Sequence, residues 1–139
     1  MLPILKESIE LPASQHGFRE NHSTSTAVCQ ILEDAKDGFN KRRPADRTVV
    51  VALDLKRAFD TVNHEKLHNL VLKSKLPDLA KASIYGYLSG RSQYTTFSET
   101  ISGSTHLHSG VPQGGVLSPI LFCWYISDMP TTKDVKITC

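Results

Sequence analysis

The sequence predicts an α/β (α+β) fold in which antiparallel strands pack against helices. Apolar residues recur at helical spacing in several stretches, a short β-branched run reads as a buried strand, and two later stretches form a hairpin. The 139 residues are 40% hydrophobic and 22% charged, which is ordinary for a globular protein. This length suits one domain or a piece of a larger one.

Helices are predicted wherever apolar residues return every three or four positions. Ser23 or Thr24 caps the first of them. Pro77 and Gly90 bound the third, and Ser118 caps a fourth that has Pro119 as its first residue. The first three helices cover residues 23–38, 63–73 and 78–88.

Strands are predicted at four places. Residues 48–55, TVVVALDL, are nearly all apolar, as expected of a strand buried on both faces. Residues 91–97 and 105–108 form the two strands of a hairpin. Residues 135–138 begin another strand where the sequence stops, which we interpret as a truncation.

Composition limits the class of protein and its partners. The net charge of +2 neither requires nor excludes a nucleic-acid partner. The one basic cluster, Lys41, Arg42 and Arg43, is either a solvated helix end or a phosphate contact. Three cysteines without a CxxC pair indicate neither a disulfide framework nor a cysteine zinc site. The absence of a signal peptide or a long apolar run predicts an intracellular location and no membrane partner.

Asp54 is the first candidate site residue. It stands near the end of the predicted buried strand, on the same face as Val50 and Ala52. A carboxylate there loses hydration unless a partner or a metal ion compensates. The structural alternative is that Asp54 caps the turn towards Lys56, and the residues alone leave both interpretations open.

The glycine-rich loop GVPQGG, residues 110–115, is the second candidate. Its glycines let the main chain approach a ligand closely, and the amide of Gln113 offers both a donor and an acceptor. The helix that starts at Ser118 favours an anion. The alternative is a plain turn that needs glycine for its dihedral angles alone.

Three long motifs together carry a family resemblance. QHGFRENHST, VVVALDLKRAFDTVNHEKL and SGVPQGGVLSPILFCWYISDMP occur here in the order and spacing seen in reverse transcriptases of non-LTR retrotransposons, the LINE-like, jockey type. The resemblance runs from about Ser14 to Asp128. It implies that the chain is part of a polymerase palm with the late fingers, from an RNA-directed DNA polymerase.

The resemblance implies roles for individual residues. Asp54 matches the first metal-binding, catalytic aspartate. Phe59 matches the aromatic residue that closes the sugar pocket against a ribose 2′-hydroxyl, and Asp60 after it is interpreted as a cap for the next helix. Arg19 matches a segment just before the palm strand, where it either meets template or primer phosphate or pairs within the fold. Pro112, Gln113 and Gly114 match the loop that lies against the incoming nucleotide and template.

The same resemblance implies cofactors and partners. Two Mg²⁺ ions would serve the complete enzyme. Its partners would be an RNA template, a DNA primer and deoxynucleoside triphosphates, together with the fingers and thumb segments of the parent polyprotein. A nuclear location is expected for the parent element.

Departures from the family pattern bear on activity. Gly115 stands where the family commonly has serine. The upstream basic fingers motifs and the aromatic-x-Asp-Asp motif, expected soon after Cys139, are not in the sequence, and neither Asp128 nor Asp134 is a natural replacement. Residues 1–139 are therefore expected to be a partial reverse transcriptase domain that is inactive alone. The alternative is a catalytically dead remnant or a nucleic-acid-binding piece.

HEKLH, residues 64–68, also matches the HExxH pattern of zinc metalloproteases. Two histidines one helical turn apart would bind zinc, and Glu65 would act as general base. No spacing indicates a third ligand, although His106, His108 and Glu99 are available. Histidines on an amphipathic helix explain the match better.

Overall fold

The fold is mixed α/β over the residues that the computed structural model describes, which are 1–41, 47–130 and 135–139. None of the helices in these ranges is both long and apolar enough to cross a membrane. The helices are α1 (Leu2–Ser8), α2 (Thr24–Asn40), α3 (His64–Lys73), α4 (Asp78–Leu88) and α5 (Ser118–Ser127). The strands are β1 (Ser92–Gln93), β2 (Thr96–Phe97), β3 (Thr100–Ile101) and β4 (Thr105–His106).

The chain divides into two compact units. The first comprises Met1–Glu10 and Arg57–Tyr125, and the second comprises Leu11–Lys56 and Ile126–Cys139. Every buried apolar side chain of the described ranges belongs to the first unit, which therefore holds the hydrophobic core. These side chains are Leu5, Ile9, Val62, Leu67, Val71, Leu76, Ala80, Ile84, Leu88, Val111, Leu121, Cys123 and Trp124.

Helices α3 and α4 pack against each other in the first unit. The side chain of Asn63 accepts a hydrogen bond from the amide of Lys66 at 2.8 Å, so this residue caps α3. Leu67 and Val71, one turn apart, form the buried stripe of α3. The matching stripe of α4 consists of Ala80, Ile84 and Leu88.

Helix α2 belongs to the second unit and begins with a capping box. Ser23 Oγ accepts from the amide of Thr26 at 3.2 Å, and Thr26 Oγ1 accepts from the amide of Ser23 at 2.9 Å. His16 Nδ1 lies 2.9 Å from the same hydroxyl. The helix continues past the predicted end at Gly38 to Asn40, because Gly38 is buried inside the helix rather than ending it.

The strand predicted at residues 48–55 is wrong. Residues 47–55 form neither helix nor strand, and Val49 and Leu53 are 81% and 79% exposed. A strand needs a neighbour for its main-chain N–H and C=O groups, and a strand buried on both faces also needs cover on each side. Within the described part of the chain no segment pairs with this run.

Residues 135–139 do not form the predicted strand either. The amide of Cys139 instead donates to the carbonyl of Ser14 at 2.9 Å, and its carbonyl accepts from the amides of His16 and Gly17. The turn expected at Asp134 and the basic residues Arg42 and Arg43 lie outside the described residues.

The predicted hairpin is confirmed with shorter strands. Strand β1 pairs with β4 in antiparallel register, with Ser92 opposite His106. Between them β2 pairs with β3, with Thr96 opposite Ile101. All eight strand residues are exposed, so this ladder extends from the core rather than covering it.

The glycine-rich loop is tied to the segment that follows residue 57. The amide of Val111 donates to the carbonyl of Phe59 at 2.8 Å, and the amide of Gly110 donates to the carbonyl of Val62 at 2.8 Å. Gly110 has a φ of +88°, and a Cβ placed on it would lie 2.8 Å from the carbonyl oxygen of Asp60. Glycine is required here for both the dihedral angle and the close approach.

His68 joins α3 to α4 through ring contact. Its imidazole lies 4.7 Å from the ring of Tyr85 between centroids, and its Nε2 is buried without a hydrogen-bond partner. Burial, and secondly the nearby His64, lower the pKa of His68 below its ordinary value of 6.5. The neutral imidazole is therefore the form that the fold favours.

Replacing Gly110 with alanine should destabilise the first unit strongly. The added Cβ meets the Asp60 main chain, and the positive φ disfavours any L side chain. Gly90→Ala is the matched control, because Gly90 also has a positive φ of +66° but open space around it. We expect a loss of about 1–2 kcal/mol for Gly90→Ala and a further 1–3 kcal/mol or so for Gly110→Ala. Urea unfolding measures both, and equal losses would contradict the close approach.

Stability should fall as the pH is lowered through the ordinary histidine range. The unfolded chain takes up the His68 proton at its usual pKa, whereas the folded chain does so at a lower pH, so the unfolded state gains between the two values. His68→Phe keeps a ring against Tyr85 and cannot titrate. Its free energy of unfolding should decline less than that of the wild type between about pH 7.5 and pH 5. Parallel pH profiles would contradict this role for His68.

Candidate functional site

Phe59 lies at the junction between the turn after residue 57 and helix α5. Its half-buried ring is 4.9 Å from the ring of Phe122 between centroids. Its carbonyl accepts the amide of Val111, so the backbone of Phe59 is held by the loop. Phe59 is thus fixed both at its ring, by Phe122, and at its backbone, by Val111.

The loop at residues 110–115 presents its middle residues to solvent. Pro112 is half-buried, whereas Gln113 and Gly114 are exposed. The amide of Gly115 donates to the carbonyl of Pro112 at 3.1 Å and closes a tight turn. Gly114 has a φ of +80° with open space around it, which leaves room for a ligand against its backbone.

Gly115, the departure from the family's serine, has a local explanation. A Cβ at this position would collide with the hydroxyl of Tyr87 and would lie 2.9 Å from Ser118 Oγ. These two hydroxyls are 3.1 Å apart and share a hydrogen bond beside the start of α5. The absence of a side chain at Gly115 makes room for Tyr87.

Asp60 does not have the role predicted for it. The cap of α3 is Asn63, as described above, whereas Asp60 Oδ1 accepts a hydrogen bond from Gln113 Nε2 at 2.9 Å. Sequence reasoning missed this pairing because the two residues are 53 positions apart and no local pattern links them. The signal available was that both belong to the family motifs.

Asp54 belongs to the second unit, in the run that forms no strand. The expectation that it is buried is wrong, because it is exposed along with its neighbours. Among the described residues no side chain or main-chain group hydrogen-bonds to its carboxylate. Its oxygens are available to a ligand.

Arg19, in the same unit, makes contacts within the fold. Its guanidinium donates to the carbonyl of Pro12 at 2.7 Å and to that of Gln15 at 3.5 Å. They correspond to the alternative expectation for Arg19, in which it pairs within the fold instead of binding a phosphate. Arg19 is half-buried as a residue, and a phosphate contact stays a prediction.

The HEKLH match does not form a metal centre in the described part of the chain. His64 Nε2 donates to the carbonyl of Gly110 at 2.7 Å, and His68 packs on Tyr85. No three potential metal ligands cluster among the residues described. His64 thus helps hold the glycine-rich loop, and a zinc protease is not favoured.

Comparison with known proteins places these features in a family. Residues 1–138 match the family described as reverse transcriptase (RNA-dependent DNA polymerase). A probable RNA-directed DNA polymerase from transposon X-element of Drosophila melanogaster is 34% identical over 126 residues, 91% of this chain and 13% of that protein. The polymerase from the mobile element jockey of the same species is 31% identical over 90% of this chain and 13% of its own length.

A more distant relative shows the same coverage. The group II intron-encoded protein LtrA of Lactococcus lactis subsp. cremoris is 30% identical over 91% of this chain and 19% of its own length. The chain thus spans well under a quarter of the curated relatives named here. Since the family match covers nearly every residue, the chain belongs to the reverse transcriptase (RNA-dependent DNA polymerase) family.

Proposed function

We propose that this chain is the late fingers and part of the palm of an RNA-directed DNA polymerase from a non-LTR retrotransposon. The observation that carries the proposal is the junction of two family motifs in the first unit. The carbonyl of Phe59 accepts a hydrogen bond from the amide of Val111, and the carboxylate of Asp60 accepts one from the side-chain amide of Gln113. Residues 52 and 53 positions apart are thereby held in one place, as a nucleotide pocket requires.

In this proposal the substrates are deoxynucleoside triphosphates, and the partners are an RNA template and a DNA primer. The remaining fingers and the thumb come from other segments of the parent polyprotein, since the matched relatives are several times longer than this chain. Arg19 is the candidate for a template or primer phosphate because it is a basic residue that is not fully buried. A nuclear location of the parent protein follows from the same interpretation.

The nucleotide pocket is assigned to Phe59 and the loop. The Phe59 ring, backed by Phe122, provides a steric wall against a ribose 2′-hydroxyl. Pro112 and Gly114 shape the loop so that main chain can lie against the nucleotide. Gln113 supplies an exposed amide with donor and acceptor capacity.

Reverse transcriptases as a family use divalent metal ions, and we assign one ligand of Mg²⁺ to Asp54. Its carboxylate is exposed and has no partner among the described residues, and Mg²⁺ prefers such oxygen donors. When bound, the two ions would supply Lewis-acid chemistry to the primer hydroxyl and to the leaving pyrophosphate. The other carboxylates would come from the aromatic-x-Asp-Asp motif of the parent protein.

Asp54→Asn should abolish polymerisation by the complete enzyme that contains this chain. The amide keeps the shape of the carboxylate but loses the charge that a divalent ion needs. Primer extension on an RNA template should fall by at least about a hundredfold.

Asp37→Asn is the matched control for loss of one exposed carboxylate, since Asp37 lies on α2 outside the three motifs. It should extend primers like the wild type, and the 139-residue chain assayed alone should not extend them. Wild-type extension by Asp54→Asn, or extension by the isolated chain, would contradict these assignments.

Phe59→Ala should admit ribonucleotides. A pocket that merely tolerates a hydroxyl discriminates weakly, so removing a rigid wall should lower the preference for deoxynucleotides by about tenfold or more. The measurement is the ratio of kcat/KM for deoxy- and ribonucleotides in the complete enzyme.

Phe122→Leu separates this effect from packing. Phe122→Leu removes the ring partner of Phe59 but leaves the Phe59 ring in place. Phe122→Leu and Phe59→Ala should therefore both lose stability. Only Phe59→Ala should change the preference for deoxynucleotides. The same ratio in both variants would show that Phe59 is a packing residue.

A further inference from the structure

Asp60 and Gln113 meet through their side chains. Gln113 Nε2 donates to Asp60 Oδ1 at 2.9 Å, and both residues are exposed at the surface of the first unit. Neither residue makes another side-chain hydrogen bond within the described part of the chain. A solvent-exposed hydrogen bond of this kind adds little to the free energy of unfolding. It can, however, fix the orientation of the two side chains.

The backbone of Asp60 is held from two sides. Its amide donates to the carbonyl of Arg57 at 2.9 Å, in a turn where Arg57 has a positive φ of 53°. Its carbonyl accepts from Ser109 Oγ at 3.0 Å. Gly110 lies so close that a Cβ there would be 3.0 Å from the Asp60 Cα. The carboxylate therefore projects from a backbone with little freedom.

The chemistry of the pair selects one orientation of the amide. An ionised carboxylate has no proton to donate. It therefore accepts a hydrogen bond from the NH₂ group of Gln113 and can form none with the carbonyl oxygen of that amide. Without that contact the two ends of the amide exchange by a half-turn of the last side-chain torsion, which has a broad, twofold preference. Gln113 Oε1 makes no hydrogen bond with the described residues and is left for a ligand.

We infer that Asp60 is a positioning residue, which orients the Gln113 amide so that Oε1 accepts a hydrogen bond from a donor group of the incoming nucleotide. This inference rests on the proposed function of the loop. Asp60 acts through Gln113 and has no contact of its own with substrate. Nucleotide affinity should then depend on Asp60 as long as Gln113 is present.

The test is a double-mutant cycle in the complete enzyme. Asp60→Ala should raise KM for deoxynucleotides about three- to tenfold, as expected for one hydrogen bond, with a smaller change in kcat. Gln113→Ala should raise KM at least as much, and the double variant should be no worse than Gln113→Ala alone. Asp60→Asn, which keeps an acceptor oxygen but can also donate, should fall between the wild type and Asp60→Ala.

Thr61→Val is the matched control for disturbance of the turn. Thr61 follows Asp60 and donates its hydroxyl to the carbonyls of Arg57 and Ala58, without touching Gln113. It should change the melting temperature but not KM. A KM in Asp60→Ala equal to that of Thr61→Val, or additive effects in the cycle, would overturn the inference while leaving the polymerase assignment intact.

A second measurement does not depend on activity. The ¹⁵N relaxation of the Gln113 side-chain amide in the 139-residue chain should report a restricted group in the wild type and a freely moving one in Asp60→Ala. Equal mobility in both would overturn the positioning role directly. Absence of primer extension by the complete wild-type enzyme would overturn the proposed function, and with it the nucleotide as the ligand of Gln113.

Discussion

The close approach of Gly110 to the main chain of Asp60 is the constraint on which the first unit depends. A left-handed glycine lets the backbone of the loop come within hydrogen-bond distance of the residues that follow Phe59. A short antiparallel bridge between Asn63 and Ser109 continues the same contact, and His64 adds a side-chain bond to the Gly110 carbonyl. Any side chain at position 110 would separate the two segments.

That contact explains why family-matching residues lie together although they are distant in sequence. Phe59 is held through its carbonyl by the amide of Val111 and through its ring by Phe122, whereas Gln113 is held through its side chain by Asp60. Most of the buried apolar side chains of the first unit come from α3, α4 and α5, and they form the core of the unit to which both residues belong. A nucleotide pocket needs this division, since residues that contact substrate must stay exposed while their backbone stays rigid.

The second unit is held together in a different way. Its buried side chains are the polar Gln15 and His16, and its order comes from the capping box of α2 and the hydrogen bonds of Cys139. Lys136 also forms an ion pair with Asp34 on α2. The apolar run that contains Asp54 is exposed here, so the carboxylate proposed as a metal ligand lies in a stretch, residues 47–57, in which every residue is exposed.

The sequence by itself determined helices α2 to α5, the cap of α2 at Ser23 or Thr24, the hairpin and the family. These features follow from the spacing of apolar residues, from capping chemistry and from motifs, each of which depends on residues that are close together in the sequence. It did not determine α1, the state of residues 48–55, or the partner of Asp60. Strand pairing and the contact between Asp60 and Gln113 join residues that are far apart in the chain. Whether a position requires glycine also depends on its spatial neighbours, as at Gly115 beside Tyr87. Only the tertiary structure decides such contacts, because propensity favours a local conformation but does not supply the partner that completes it.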